Sequence, residues 1–346
     1  MWPRASATSL PSDGVFSTLT TALRSLARLL LVLCVLGAAL SAPLATAQNA
    51  PARSDRPGGK IVLGVLGDPV RFQGLTGQRS LSRLLIVGWG QGLSSGSSFA
   101  DLLGTMGSIP MFGINPGGAI SPLQIARGSG DAYLVALSRA LSEWNRPVYV
   151  RPLAEMNGHW NEYCAFDTDG SSRGPRYSTA AFRRAFARIA LLARGGPAHE
   201  LDAKLRRLGE PGVAGDLPRT QARIVWNPQG YGSPDIPANS AQAYFPGNAY
   251  VDVVANDLYD QGFKAAWDDN DALYAAHPSK PFAIAEWGLW GIDDPAYVER
   301  MAAFVKSHRR VELLSYFSSK PGSLWDLATK PRSRAVYRRV ITPLGG

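Results

Sequence analysis

Cysteine is almost absent from this chain: there are two in 346 residues, and one of them, Cys34, falls in an apolar stretch near the start. With Cys164 alone in the remainder, an exported chain has no internal disulfide, so its stability must come from packing. Cys164 itself reads as a small buried hydrophobe, with a reactive thiol as the alternative. Histidine is scarce too, four in all, and no His, Asp or Glu spacing suits a metal site, so neither metal nor other cofactor is expected. The apolar run at 29–40 is shorter than the roughly 20 residues that a membrane-spanning helix needs. Beyond residue 47 there is no internal repeat or low-complexity block, and no Lys/Arg run interleaved with aromatics, which argues against a nucleic-acid partner.

What is present sorts into three segments. Arg24 and Arg28 precede the apolar run and Ala45-Thr46-Ala47 fits a small-residue cleavage site, so residues 1–47 read as a signal peptide. Cleavage after Ala47 would export a protein starting at Gln48, and an uncleaved N-terminal membrane anchor is the alternative. Residues 48–60 are rich in Pro, Ala, Arg and Gly without apolar period, as in a flexible linker. Residues 61–346 suit one large α/β domain better than two small ones. Of the formal charge of +9, Arg4, Arg24, Arg28 and Asp13 of the leader contribute +2, which leaves +7. Such a balance suits an acidic polysaccharide or a transient contact with an anionic cell surface, whereas a dispersed basic surface that only aids solubility is the plainer reading.

Short apolar runs recur at 61–66, 83–89, 109–115, 148–155, 223–227, 251–259, 282–287 and 311–317, each apolar nearly throughout, as in strands buried on both faces. Helical spacing fills the intervals. Asp131 is placed to cap a segment with Leu134, Leu137, Leu141 and Trp144 on one stripe; Thr179 precedes Phe182, Phe186 and Ile189; Asp294-Pro295 opens a helix with Tyr297, Met301, Phe304 and Val305 inward. The stretch 194–221 is too long for a simple connection and predicts an excursion with an extra helix at 201–208. Eight β runs alternating with helices predict a single-domain (β/α)8 TIM barrel.

Two of these strands end in a glutamate. Val148-Tyr-Val-Arg-Pro-Leu-Ala-Glu155 runs into Met-Asn-Gly-His-Trp160, and Phe282-Ala-Ile-Ala-Glu286 runs into Trp287-Gly288. Strand ends face the shared mouth of such a barrel, and strands four and seven stand on opposite sides of it. Glu155 and Glu286 can therefore meet over one sugar as the two carboxyl groups that glycosidic cleavage needs. Arg151, on the same strand face, would hold a carboxylate ionised. Asp257 ends strand six and is a candidate to orient substrate, whereas Glu143, Asp293 and Asp294 read as helix-surface or capping groups. Trp226 and Trp287 are candidate sugar-stacking rings with core packing as the alternative; Trp89, Trp290 and Trp325 are evenly divided between the two. His159 reads equally as a hydroxyl partner or a satisfied loop residue.

These residues resemble glycoside hydrolase family 26. Arg151-Pro-Leu-Ala-Glu155-Met-Asn-Gly-His-Trp160 is similar to the family's Arg-Pro-x-His-Glu-Met-Asn-Gly-x-Trp. Tyr244-Phe-Pro-Gly-Asn-Ala-Tyr-Val-Asp252 resembles its Tyr-Pro-Gly-x-x-Tyr-Val-Asp approach to strand six, and Ile284-Ala-Glu286-Trp-Gly288 its nucleophile strand. The resemblance implies Glu155 as acid/base and Glu286 as nucleophile, Tyr259 near the nucleophile, Trp160 as a substrate platform, and Asn157 among the substrate contacts. One position departs: the family's histidine before the acid/base is Ala154. The expected protein is a secreted, monomeric, retaining endo-β-glycosidase acting on a polysaccharide or its oligosaccharides. β-Mannan is the default substrate, and mixed-linkage glucan or a bacterial exopolysaccharide stands beside it. The rival, prompted by Ala154, is a non-catalytic carbohydrate-binding barrel of the cell envelope.

Overall fold

A computed structural model describes residues 59–94, 98–261 and 266–346. The expected signal peptide, Cys34 and all but the last two residues of the expected linker lie outside the described residues. Eight parallel strands close into a barrel in chain order: β1 (Val62–Gly67), β2 (Ser82–Gly88), β3 (Met111–Asn115), β4 (Val148–Pro152), β5 (Ala222–Trp226), β6 (Val253–Asp260), β7 (Phe282–Leu289) and β8 (Val311–Ser319). Every apolar run found in the sequence carries one of them. Helices α1 (Pro69–Thr76) and α2 (Phe99–Gly104) follow β1 and β2, and α3 (Pro122–Ala126) and α4 (Asp131–Trp144) follow β3. After β4 come α5 (Thr179–Arg194) and the expected excursion with α6 (Ala198–Arg207); α7 (Trp267–Ala276), α8 (Pro295–Ser307) and α9 (Pro331–Val340) follow β6, β7 and β8.

The two-residue period of the strands divides the core into two layers. Inside the barrel pack Val62, Leu84, Met111, Tyr149, Val225, Val253, Ala255, Ala283, Ala285 and Leu313, all buried. Their outward neighbours meet the helices in a larger cluster that includes Val150, Phe182, Trp226, Trp287, Met301 and Tyr337. Deep in the barrel Glu312 accepts hydrogen bonds from Tyr149 (2.8 Å) and Arg223 (2.5 Å), so its buried charge is paired.

Local details correct two expectations. Asp131 is the first residue of α4 and no side chain caps that helix; its carboxylate instead receives two bonds from the buried Arg188, at 2.7 and 2.5 Å. Helix α5 does start at Thr179, and Ser178 caps it, accepting from Ala181 N–H. Strand β4 ends at Pro152, short of Glu155, because Leu153 and Glu155 adopt left-handed backbone, φ 53° and 54°. Asp294 does cap α8, accepting from Ala296 and Tyr297, and Asp293 accepts from the first turn of α9 at Ser333. Cys164 is fully buried.

Candidate active site

Arg151 stands at the centre of the barrel mouth. Tyr149 packs inside the barrel and Arg151, two residues on, points inward above it, 2 % exposed. Its guanidinium binds three groups, one just after β5 and one each on β6 and β7: Nε donates to Asn227 Oδ1 (2.9 Å), Nη1 to Glu286 Oε1 (2.5 Å) and Nη2 to Asp257. A planar fork with five donors suits such convergence. Burial opposes its charge, but Asp257 and Glu286 beside it hold its pKa above the ordinary arginine value.

Glu286 reaches this cluster through a defect in the sheet. Ala283 and Ala285 face the interior, so strict alternation would send residue 286 outward with Ile284. The register breaks instead on both sides of β7. Asn256 pairs with Ile284 but Asp257 with Glu286, and Ile284 pairs with Leu314 but Trp287 with Tyr316, which makes a β-bulge at Ala285–Glu286. The extra residue turns Glu286 inward and Trp287 outward, the re-aiming that bulges perform. Glu286 Oε2 accepts a hydrogen bond from Tyr259 Oη (2.7 Å) while Oε1 takes that of Arg151. Tyr259 and Asp257 follow Val253 and Ala255 by the ordinary alternation of β6.

Glu155 is held by a strained turn. Its left-handed backbone is fixed where Glu155 N–H donates to Asn227 O (2.7 Å) and Leu153 N–H to Ile114 O (2.9 Å), contacts that compensate a conformation costing a non-glycine residue about 1–2 kcal/mol. The carboxyl accepts from Trp160 Nε1 at Oε2 (2.8 Å) and from Gln229 Nε2 at Oε1. Burial pushes its pKa up and the charge of Glu286 adds to this, against the pull of the Trp160 bond and Arg151. Asp257 lies well above the carboxylate range because it is fully buried, with Glu286 and Glu155 adding to the effect against the attraction of Arg151. Three carboxyl groups around one guanidinium cannot all ionise at low cost, which favours the protonated forms of Glu155 and Asp257.

The carboxyl groups of Glu155 and Glu286 line two adjoining cavities. A cleft of about 870 Å³ runs over β5 to β8, walled by Trp160, Tyr231, Tyr259, Trp290, Phe317 and Trp325, with Gln229, Asp235, Asp268 and Asp269 as polar lining. A second cavity of about 70 Å³ lies toward β2–β4, beside Ala154. Among the described residues Arg151 is the one cation on either lining, and no group of three or more His, Cys, Asp or Glu side chains is arranged to hold a metal.

Several expected contacts fall elsewhere. Trp226 and Trp287 are fully buried on the outer strand face; Trp226 packs on Phe245 and His277, and Trp287 stacks on Tyr337 at 5.6 Å. Outward parity makes both of them core, and the stacking expectation for them fails. Asn157 is fully buried and spends its amide on the loop after β5, donating to Gln229 O (3.0 Å) and Tyr231 O (3.1 Å) and accepting from Gln229 N–H (2.8 Å). It therefore acts through Gln229 and does not face the cleft. His159 is likewise a brace, with Nδ1 3.0 Å from Ser233 Oγ, and lines neither cavity. Trp160, half exposed, is where a platform is wanted. Gln229 and Asn227 were missed, although both follow β5 at the barrel mouth, and Trp290 and Trp325 resolve to the cleft.

No family model matches the chain. Endoglucanase H of Acetivibrio thermocellus is 23 % identical over 287 residues, which cover 78 % of this chain, and the chain spans 28 % of that protein's length. Among solved structures, a mannanase of Bacillus subtilis superposes with TM-score 0.53 at 17 % identity, over 84 % of this chain and 88 % of that one. The family 26 glycoside hydrolase domain of an endo-β-mannanase/endo-β-glucanase from Prevotella bryantii does so with TM-score 0.51 at 14 % identity, over 82 % and 89 %. The chain thus has the barrel fold of these family 26 structures, in agreement with the resemblance carried by its own motifs.

Proposed function

We propose that the protein is an endo-β-glycosidase that cleaves a neutral polysaccharide with retention, Glu155 serving as acid/base and Glu286 as nucleophile. The observation that carries this reading is the convergence of the two glutamates at one aromatic-walled cleft in different environments. Glu286 is engaged by Arg151 and Tyr259, donors that suit an attacking carboxylate, while Glu155 is pushed toward its protonated form. Two carboxyl groups set apart in this way divide the roles of nucleophile and proton donor. In the first step Glu286 attacks the anomeric carbon as Glu155 protonates the departing oxygen; in the second Glu155 takes a proton from water, which displaces Glu286.

The open cleft supports cleavage within a chain, and the names of the similar proteins, mannanases and an endoglucanase, support a β-linked glycan. The lining argues against the acidic polymers that the net charge brought into view. Asp235, Asp268 and Asp269 border the cleft, and Arg151 is already paired, so a polyanion would meet repulsion among the described residues. Export is part of the proposal and rests on residues 1–47 alone.

The experiment is a panel of mannans, glucans, xylans and acidic exopolysaccharides assayed for new reducing ends. Turnover of a neutral β-glycan with falling viscosity supports the reading. Binding without cleavage of any polymer would favour a carbohydrate-binding barrel instead.

A further inference from the structure

The small cavity beside the paired glutamates has two small residues, Gly113 and Ala154, in its lining. Gly113 faces the barrel mouth between Met111 and Asn115, and a Cβ there would stand 3.3 Å from Ile86 Cγ1. Ala154 forms the facing wall, at the position where the resembling motif carries histidine. The cavity as a whole is about 70 Å³. By proportion with an apolar cavity of about 150 Å³ that takes benzene, it accepts about three heavy atoms. That is too little for a pyranose ring and enough for a substituent on one.

The chemistry of the wall selects among substituents. Ile86, Gly113 and Ala154 offer an apolar surface, and Tyr163 is occupied, its hydroxyl donating to Ala154 O at 2.6 Å. Asn115 is different. Its amide oxygen accepts from Gly117 N–H (2.9 Å), and among the described residues its amide nitrogen donates to no protein acceptor. An N–H donor next to methyl-sized apolar surface fits a carbonyl joined to a methyl group. A hydroxyl would satisfy the donor but leave the apolar surface wet, and a charged group would be desolvated beside Glu155 and Glu286.

Resting on the glycosidase reading, we propose that this cavity receives an acetyl group carried on the sugar at the cleavage point, so that the protein prefers acetylated over unacetylated glycan. The acetyl group comes either on nitrogen, from an acetamido sugar, or on oxygen, from an O-acetylated hexose. The test uses the Glu286→Gln protein, so that binding is read without cleavage, in calorimetric titrations with two matched pairs. One pair is chitohexaose against cellohexaose, the other acetylated galactomannan oligosaccharides before and after alkaline deacetylation.

The expected result is at least tenfold tighter binding of the acetylated member in one pair, about 1.4 kcal/mol, which also identifies the source of the acetyl group. Filling the cavity with Ala154→His or Ala154→Val in the same background should collapse that ratio to near one, with the fold checked by circular dichroism. Equal affinity within both pairs, or a preference that survives both substitutions, would overturn the inference. Discrimination in binding without turnover of any polymer by the unaltered protein would overturn the glycosidase reading and leave this one standing.

Discussion

The two glutamates differ in what their neighbours ask of them, and each can be tested alone. Glu286→Gln should abolish turnover, because an amide cannot form the glycosyl-enzyme intermediate; a loss below about tenfold in kcat, a barrier change near 1.4 kcal/mol, would rule Glu286 out as nucleophile. For Glu155 the raised pKa makes a prediction about stability as well as rate. A carboxyl group whose pKa is higher in the folded than in the unfolded state stabilises the fold when protonated, and that contribution is lost as pH rises from the unfolded value through the folded one. Glu155→Gln has no charge to form, so its melting temperature should gain on that of the parent protein as pH rises from 4 to 8. The basic limb of kcat/KM assigned to Glu155 should vanish in any residual activity. A stability difference that stays constant across this range would contradict the assignment.

At the scale of elements, hydrophobic alternation made most of the barrel legible, because each run of residues buried on both faces has little else it can be. The same period places Arg151, Asp257 and Tyr259 inside the mouth without further information. It fails where the chain breaks its own rule. The bulge at Ala285–Glu286 leaves no mark in residue type, so the inward turn of Glu286 and the outward turn of Trp287 cannot be derived from the pattern. The resemblance to a known motif supplied the role of Glu286 instead. Trp226 misled for a simpler reason, since a strand-end tryptophan has equal claim to core and cleft until parity is known. Asn157 was assigned by its place in the motif, whereas its amide is spent on the loop that positions Gln229. These placements predict opposite behaviour for two tryptophans. Trp226→Ala should cost about 3–5 kcal/mol in denaturant unfolding and leave KM nearly unchanged. Trp290→Ala, at the cleft and 40 % exposed, should raise KM severalfold at a stability cost below about 1 kcal/mol. Exchanged outcomes would place the wrong ring at the substrate.

For the molecule as a whole, a basic chain carries an acidic cleft, and on the proposed function it is the cleft that meets substrate. Cleavage of a neutral glycan should therefore change little between about 20 and 200 mM salt, whereas a steep fall with salt would point to a charged polymer. N-terminal sequencing of the exported protein should read from Gln48; a retained leader would support the anchor. The central claim is double displacement by Glu155 and Glu286, and the most direct measurement is the anomeric configuration of the first product, followed by proton NMR during cleavage of a β-linked oligosaccharide. Retention predicts that the β anomer appears first and that Glu155→Ala with added azide yields a β-glycosyl azide. An α anomer appearing first, or an azide adduct of inverted configuration, would contradict it.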